Sequence, residues 1–396
     1  MTPRATLTAL LCLAGAATAS AARADFQDCL AGLQAQAAAQ GISAQAFRAA
    51  TTGIQYDPKV LELASAQPEF KTPIWDYMAA LVDEERVDDG KAAMRQHAQA
   101  LANAESRYGV DRHTIAAVWG VESNFGKNLG KMPLVQSFAT LICANHRRKD
   151  FFKGELMATL KIIERGDIDP SRLTGSWAGA FGQTQFMPTT YQRLAVDGDG
   201  DGRRDLVDSV PDAVASTANF LRVAKWQNGQ PWGYEVRLPR GFNASAAGRK
   251  NRHAVAHWAA MGVTRIDGRP LTGDAPIGIL IPAGVNGPAF AVTKNFDALY
   301  SYNAAESYGL AIAVLSDRLR GRPGIQAEWP TDDPPLSRAE RRDLQTRLAA
   351  RGYDVGEPDG KVGSKTRDAI KDIERSLGMP VTGRPGAKVL QALQRG

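Results

Sequence analysis

The chain has 396 residues, which exceeds one ordinary hydrophobic core and predicts at least two domains. Its 44% hydrophobic and 23% charged residues exclude a wholly disordered chain. The formal net charge is +6, and the basic residues form no long run, so the charge is only a weak indication of an anionic polymer or surface as partner.

The first 24 residues have the pattern of a secretory signal peptide. Arg4 gives a positive start, residues 7–17 form a short apolar run, and a small-x-small cleavage site precedes Asp25. The run is too short for a permanent membrane helix, and no later stretch is long enough. Cys12 lies in the run without a lipoprotein motif, so we expect a soluble, exported protein with no stable membrane anchor.

Two cysteines, Cys29 and Cys143, remain once a signal peptide is removed. Because exported proteins fold in an oxidising compartment, we expect the two thiols to form a disulfide. Two independent buried thiols are the alternative, which the compartment alone leaves open. A metal site at these positions is disfavoured, because no histidine cluster accompanies them.

Residues 25–104 are rich in alanine and have the apolar spacing of helices, with prolines that start or end elements. The pattern predicts one long helix over residues 87–108, which Gly109 ends. Asp111 can cap the next helix, which we expect to end at Glu122. Further helices are predicted over residues 133–141, 150–165, 210–223 and 296–319.

Glu122 is the only acid within residues 116–126, a segment of mostly small and apolar residues. If Trp119 and Phe125 flank it, its carboxyl is partly desolvated, which raises its pKa. A raised pKa suits a general acid that works near neutral pH. Taken alone, the segment also fits a solvent-exposed glutamate in the last turn of an amphipathic helix, with Gly126 as the stop signal.

Residues 175–188 combine many small residues with interleaved aromatic ones. Such a composition predicts a segment whose backbone comes close to another group, because glycine leaves room where a side chain does not. A wall that lines a binding cleft and a tight glycine-rich packing site both fit this pattern.

The most acidic patch, residues 197–208, fits the pattern of a calcium-binding loop. Carboxylates stand at positions one, three and five, glycine stands at position six, and position seven offers a backbone carbonyl. Position twelve is Asp208, where a longer glutamate is usual, so Asp212 competes with it as the closing ligand. A solvated acidic turn is the alternative, although three closely spaced carboxylates repel one another without a cation. The candidate calcium ligands are Asp197, Asp199, Asp201, Arg203, Asp208 and Asp212.

The helical pattern is interrupted in the second half of the chain. Residues 234–238 alternate like a strand, and residues 277–282 and 289–293 can pair as a hairpin, which predicts a small β-containing insertion. Prolines then mark a linker at residues 326–336. Residues 337–396 follow as a compact three-helix module that has no cluster of catalytic groups.

Three segments resemble, in this order, the motifs of the membrane-bound lytic transglycosylase B family. They are residues 120–126, residues 175–188 and the acidic loop that begins at Asp197. Members of that family cleave the glycan strands of bacterial peptidoglycan. The resemblance implies a mainly α fold (α+β), with a lysozyme-like catalytic core over residues 25–325 that includes the small β-containing insertion. The module at residues 337–396 is similar to the peptidoglycan-binding domain appended to many wall hydrolases.

The resemblance also implies a role for each matched position. Glu122 corresponds to the single catalytic acid of the family. The acidic loop at residues 197–208 resembles an EF-hand, which implies Ca²⁺ as a structural ion. The substrate-binding residues implied by the resemblance are Ser123, Ser176, Gln185, Tyr302, Asn303 and Tyr308.

The expected activity is that of a periplasmic lytic transglycosylase, which cleaves the MurNAc-β-1,4-GlcNAc bond and forms 1,6-anhydro-MurNAc ends. Ordinary glycosidases use two carboxylates, whereas this sequence offers no second acid in a comparable apolar motif. A hydrolytic muramidase on the same scaffold and a non-catalytic peptidoglycan-binding protein are the alternatives. We expect peptidoglycan glycan strands as the partner, no nucleic acid, no organic cofactor and a monomeric protein.

Overall fold

The computed structural model describes residues 25–65 and 72–395, so the predicted signal peptide at residues 1–24 lies outside the described residues. Helices dominate the fold and two small sheets accompany them, which confirms the predicted mainly α class. Within the described ranges, no helix combines the length and the apolar character needed to cross a membrane.

The elements follow one another along the chain as short and medium-length helices with few strands. The helices are α1 (25–39), α2 (Ala44–Thr51), α3 (Pro58–Ser65), α4 (Ile74–Leu81), α5 (Glu84–Gln96), α6 (Ala98–Tyr108), α7 (Arg112–Ser123), α8 (Leu134–Cys143), α9 (Lys149–Arg165), α10 (Pro188–Leu194), α11 (Val210–Val223), α12 (Val255–Ala260), α13 (Lys294–Asn303), α14 (Glu306–Leu319), α15 (Arg338–Ala350), α16 (Ser364–Ser376) and α17 (Ala387–Arg395). The strands are β1 (Met132–Pro133), β2 (Thr174–Gly175), β3 (Gly233–Arg237), β4 (Thr264–Arg265), β5 (Gly278–Leu280) and β6 (Ala289–Val292).

The described residues form two compact units, and the first comprises residues 25–65 together with residues 125–219. Helices α8 and α9 pack against each other in its core, and β1 pairs antiparallel with β2. Cys29 and Cys143 are bonded as a disulfide, with their Cα atoms 5.9 Å apart. The bond joins α1 to the last residue of α8. Of the two alternatives, a disulfide and two independent thiols, the structure has the disulfide.

The second unit comprises residues 72–124 and 220–395. Helix α14 is central to it, because α14 contacts α4, α5, α7 and α13, and residues 308–316 of α14 are all buried. A helix that is buried all round lies inside a core rather than on a surface. The four strands of this unit form one antiparallel sheet in the order β4-β3-β6-β5, and the predicted hairpin is the β5–β6 pair.

Two helices that the sequence predicts as continuous are each broken in two. Residues 87–108 form α5 and α6, which meet at His97, where the backbone (φ −111°, ψ 30°) leaves the helical region. The His97 ring packs edge-on against Trp119, with ring centroids 5.4 Å apart. Residues 296–319 belong to α13 and α14, which are separated at Ala304 by a left-handed φ of 50°. Apolar periodicity continues through both breaks, so periodicity alone does not reveal them.

The C-terminal module consists of α15, α16 and α17 around a small apolar core of its own, in agreement with the predicted three-helix module. The segment predicted as a linker starts bound to the small sheet. The backbone N–H groups of Gln326 and Ala327 both donate to the Glu235 carboxylate at 2.8 Å. The first two residues of this segment are therefore hydrogen-bonded to β3.

Candidate active site

The candidate acid lies at the end of α7. Asp111 caps the start of this helix, because its carboxylate accepts two backbone N–H groups at 2.9 and 3.1 Å. The helix ends at Asn124, whose left-handed backbone (φ 52°) makes it the C-cap, so the prediction of Gly126 as the stop was wrong. Asparagine tolerates the left-handed region and can end a helix as glycine does. Ser123 is buried, and its hydroxyl donates to the Trp119 carbonyl at 3.3 Å.

Glu122 and Tyr308 contact each other within the second unit. The Tyr308 hydroxyl donates a hydrogen bond to Glu122 Oε1. Burial raises the pKa of the Glu122 carboxyl to about 8, and the bond from Tyr308 offsets part of this rise because it stabilises the charged form. Burial also raises the pKa of Tyr308 well above its ordinary value, so its hydroxyl keeps its proton and acts as the donor. The Glu122 carboxyl is therefore protonated at neutral pH, as a general acid requires.

Aromatic rings adjoin this pair. The Tyr302 ring stacks on Tyr308 with an interplanar angle of 19° and centroids 6.1 Å apart, and Phe220 lies 4.5 Å from Tyr302. The break at Ala304 separates the two tyrosines, so that Tyr302 lies in the last turn of α13 and Tyr308 in the first turn of α14. Asn303 is exposed at the end of α13. Sequence reasoning missed Phe220, because an aromatic residue in an apolar helical pattern gives no signal of its partner.

Ser176 and Gln185 lie in the first unit, within the small-residue segment at residues 175–188. The Ser176 hydroxyl oxygen accepts a backbone N–H of the same segment at 3.1 Å. Gln185 has a left-handed φ of 51°, and its side-chain amide donates to the carbonyls of Leu129 and Gly182 at 3.1 and 2.9 Å. Both side chains therefore fix the course of this segment, and both are partly exposed.

Close approaches require the glycines of this segment. A Cβ atom on Gly179 would lie 2.0 Å from the Phe138 ring, and one on Gly182 would lie 2.6 Å from the Leu206 carbonyl oxygen. The Gln183 N–H donates to the same Leu206 carbonyl at 2.7 Å. The segment is therefore tightly packed inside the first unit, and the acidic loop supports it.

The acidic loop and the first turn of α11 bring together the carboxylates of Asp197, Asp199 and Asp212, which offer oxygens within 4.8 Å of one another. Asp212 is fully buried and accepts the N–H groups of Gly198 and Asp205 at 2.7 and 2.6 Å. Burial raises the pKa of Asp212 to about 6. A cation would offset the cost of ionising this buried group beside two others, and carboxylate oxygens are ligands that calcium prefers.

Two other candidate ligands have arginine partners. Asp208 is exposed and pairs with Arg172, whose Nε donates to Asp208 Oδ2 at 3.0 Å. Asp201 pairs with the Arg203 guanidinium, with Nη2 and Oδ2 3.1 Å apart. Of the two rivals for the closing position, Asp212 joins the carboxylate group and Asp208 pairs with an arginine.

Comparison with known proteins assigns the family. The sequence profile described as "Transglycosylase SLT domain" matches residues 25–317, which is well over half of the chain. The chain belongs to this family. The profile described as "Putative peptidoglycan binding domain" matches residues 337–393, which are the residues of the C-terminal three-helix module. The resemblance found in the motifs of the sequence is thereby confirmed.

Relatives of known structure support the same assignment. SltB3 from Pseudomonas aeruginosa, crystallised in complex with NAG-anhNAM-pentapeptide, is 44% identical with a TM-score of 0.75, over 93% of this chain and 99% of that chain. The Escherichia coli lytic transglycosylase Slt35 in complex with calcium is 27% identical with a TM-score of 0.63, over 75% and 93% of the two chains.

A curated relative matches over a shorter range. Membrane-bound lytic murein transglycosylase B from Escherichia coli K12 is 32% identical over 245 residues, or 60% of this chain. The match spans 65% of the length of that relative. This chain therefore spans slightly less than two thirds of the length of that relative.

Proposed function

We propose that this SLT-family protein is a lytic transglycosylase that cleaves the MurNAc-β-1,4-GlcNAc bond of peptidoglycan and leaves 1,6-anhydro-MurNAc ends. The observation that carries the proposal is the Glu122 carboxyl, which has a pKa of about 8 and accepts a hydrogen bond from Tyr308. The similarity to SltB3, which was crystallised with NAG-anhNAM-pentapeptide, supports the choice of substrate. The match of residues 337–393 to a peptidoglycan-binding domain supports it independently.

The proposed reaction needs one group that first gives a proton and then takes one. Protonated Glu122 donates to the glycosidic oxygen, so that the bond from this oxygen to C1 of MurNAc breaks and GlcNAc leaves with a hydroxyl group. The 2-acetamido group of the substrate stabilises the positive charge at C1. The ionised Glu122, to which Tyr308 donates, then removes the proton of the MurNAc C6 hydroxyl, and the C6 oxygen bonds to C1. Glu122 regains its proton and no water is consumed.

The surroundings of Glu122 support a single-acid route. Among the described residues, burial and the bond from Tyr308 are the causes of its shifted pKa, and no neighbouring carboxylate contributes. A retaining hydrolase places a second carboxylate only about 5–5.5 Å from the acid, where like charges would perturb each other. The substrate's own C6 hydroxyl therefore suits this site better as the nucleophile than an enzyme carboxylate does.

We further propose that Asp197, Asp199 and Asp212 hold a structural Ca²⁺ ion. The grouping of their oxygens within 4.8 Å and the similarity to Slt35, which was crystallised with calcium, support this proposal. When bound, the ion would offset most of the negative charge of these three carboxylates. Because Gln183 donates to the Leu206 carbonyl of the acidic loop, a loop stabilised in this way would hold the small-residue segment in place.

Exposure and charge support the remaining parts of the proposal. Tyr302, Ser176 and Gln185 are partly exposed and Asn303 is exposed, so these side chains can reach a glycan strand, whereas Ser123 is buried. The net charge of +6 favours a polymer that carries peptide carboxylates. Together with the signal-peptide pattern of the sequence, these features support a periplasmic location for the proposed activity.

The test compares the wild type with Glu122→Gln on purified peptidoglycan. The variant keeps the shape of the side chain but has no acidic proton, so we expect cleavage to be lost. Mass spectrometry of wild-type products should find anhydro-muropeptides, which are lighter by one water than the reducing ends of a muramidase. Glu62→Gln, which removes an exposed charge paired with Lys59, is the matched control and should keep full activity. Retained cleavage by Glu122→Gln, or reducing-end products alone, would contradict the proposal.

A further inference from the structure

Arg86, in the first turn of α5, places a buried positive charge at the last turn of α7. Arg86 is 8% exposed, and its Nη1 donates to the Gly120 carbonyl oxygen at 2.7 Å. Gly120 precedes Glu122 by two residues, and its carbonyl also accepts the N–H of the C-cap residue Asn124 at 3.0 Å. Because a positive charge at the C-terminal end of a helix is stabilising, this second bond to the Gly120 carbonyl stabilises the turn that carries the acid.

Asp83 connects this turn of α5 to the C-terminal module. As the N-cap of α5, Asp83 accepts the Arg86 N–H on Oδ1 at 2.9 Å. Its other oxygen, Oδ2, lies 3.0 Å from Nη2 of Arg338, the first residue of α15. Asp83 is 7% exposed, and a buried carboxylate that loses a charged partner is costly. The Asp83 carboxylate therefore caps the helix that carries Arg86 and also pairs with an arginine of the C-terminal module.

Further ion pairs hold the module on α4 and α5. Arg384 donates to both oxygens of Asp76, at 2.6 and 2.7 Å, in the paired geometry that guanidinium and carboxylate favour. Arg342 donates to Glu85 at 3.0 Å. Because the Arg384–Asp76 pair is little exposed, it is less screened by solvent than a surface pair. The module thus docks on the same helices that present Arg86 to α7.

We infer that Arg86 is a positioning residue for Glu122, and that the docked C-terminal module maintains this position through Asp83. The inference rests on the proposed role of Glu122 as the catalytic acid. A misplacement of about 1 Å at a reacting group can cost about 100-fold in rate. When the module undocks, Asp83 loses Arg338, and α5 becomes free to shift against α7. The rate of bond cleavage then depends on whether the C-terminal module is docked on α4 and α5.

The test measures kcat and KM of full-length variants on soluble glycan chains. Arg86→Met should lower kcat by roughly 10- to 100-fold with little change in KM, because substrate contacts remain. Arg86→Lys retains one donor for the Gly120 carbonyl and should recover most of kcat. A folded Arg86→Met protein with wild-type kcat, or a loss confined to KM, overturns the positioning role.

The link to the module has its own pair of variants. Arg338→Gln should lower kcat by roughly 3- to 10-fold. Arg347→Gln, which loses only a pair with Asp343 on α15, should not. Equal kcat values for Arg338→Gln and Arg347→Gln overturn the link between module and acid. If thermal melting shows that Arg86→Met does not fold, the comparison of these two variants takes its place as the test of the inference. Glu122→Gln is assayed alongside these variants. If Glu122→Gln retains activity, the proposed function fails. If Glu122→Gln is inactive while the Arg86 and Arg338 variants keep the wild-type kcat, only this inference fails.

Discussion

Replacement of Tyr308 by phenylalanine removes the hydrogen bond to Glu122 Oε1 and keeps the ring that stacks on Tyr302. A hydrogen bond to an ionised group contributes about 1.5–3 kcal/mol. Since one pKa unit corresponds to about 1.36 kcal/mol, the loss amounts to roughly one to two units. The bond stabilises the carboxylate, so its removal raises the pKa of Glu122 further above its value of about 8.

Two kinetic effects follow for Tyr308→Phe. Because the first step requires protonated Glu122, the alkaline limb of kcat/KM should move to higher pH by roughly one to two units. The carboxylate that forms after this step loses the same stabilisation, so kcat at the optimum should fall by roughly 10- to 100-fold. The assay follows anhydro-product release from purified peptidoglycan across neutral and alkaline pH.

A matched control separates this effect from the loss of any tyrosine hydroxyl. Tyr234→Phe removes a hydroxyl that donates to the Thr272 carbonyl at 2.8 Å beside the small sheet, and should leave the pH profile unchanged. An alkaline limb of Tyr308→Phe that stays at the wild-type position, or moves to lower pH, refutes the reasoning.

Calcium and the disulfide give the remaining predictions. Calcium at a hundredfold excess over its Kd should stabilise the wild type and Asp208→Asn by about 2.7 kcal/mol, as measured by thermal melting, and Asp212→Asn much less. An equal gain in Asp212→Asn would show that the ion binds elsewhere. The double variant Cys29→Ala/Cys143→Ala should lose about 4–5 kcal/mol of unfolding free energy in urea, because the bond closes a loop with a sequence separation of 114. Identical urea midpoints for the double variant and the oxidised wild type would contradict this.

The features that the sequence predicts well are those that depend on neighbouring residues. The cap at Asp111 and the left-handed stop at Gly109 lie where residue chemistry places them, because capping involves only the adjoining turn. The apolar residues around Glu122 in the sequence predict a raised pKa, and burial raises it in the structure. The disulfide is an exception, because it joins cysteines 114 positions apart, and its prediction required only the compartment and a count of cysteines.

The features that the sequence does not reach are contacts between distant positions. The resemblance implied that Glu122 is the acid and that Tyr308 binds substrate, but the bond between them joins positions 186 residues apart and has no local signal. The preference for Asp212 over Asp208 depends on Arg172, an arginine that no loop pattern includes. Arg86 is one charged residue in a polar helix, and only the fold shows that it reaches the end of α7.

The disulfide between Cys29 and Cys143 closes a covalent ring of the chain, and α7 with Glu122 lies inside that ring. Both cysteines belong to the first unit, whereas residues 72–124 within the ring belong to the second. A protease that cuts the backbone once between the cysteines therefore produces two fragments that stay joined until the bond is reduced. In an oxidising compartment, a single such cut cannot release the segment that carries the acid from the rest of the protein.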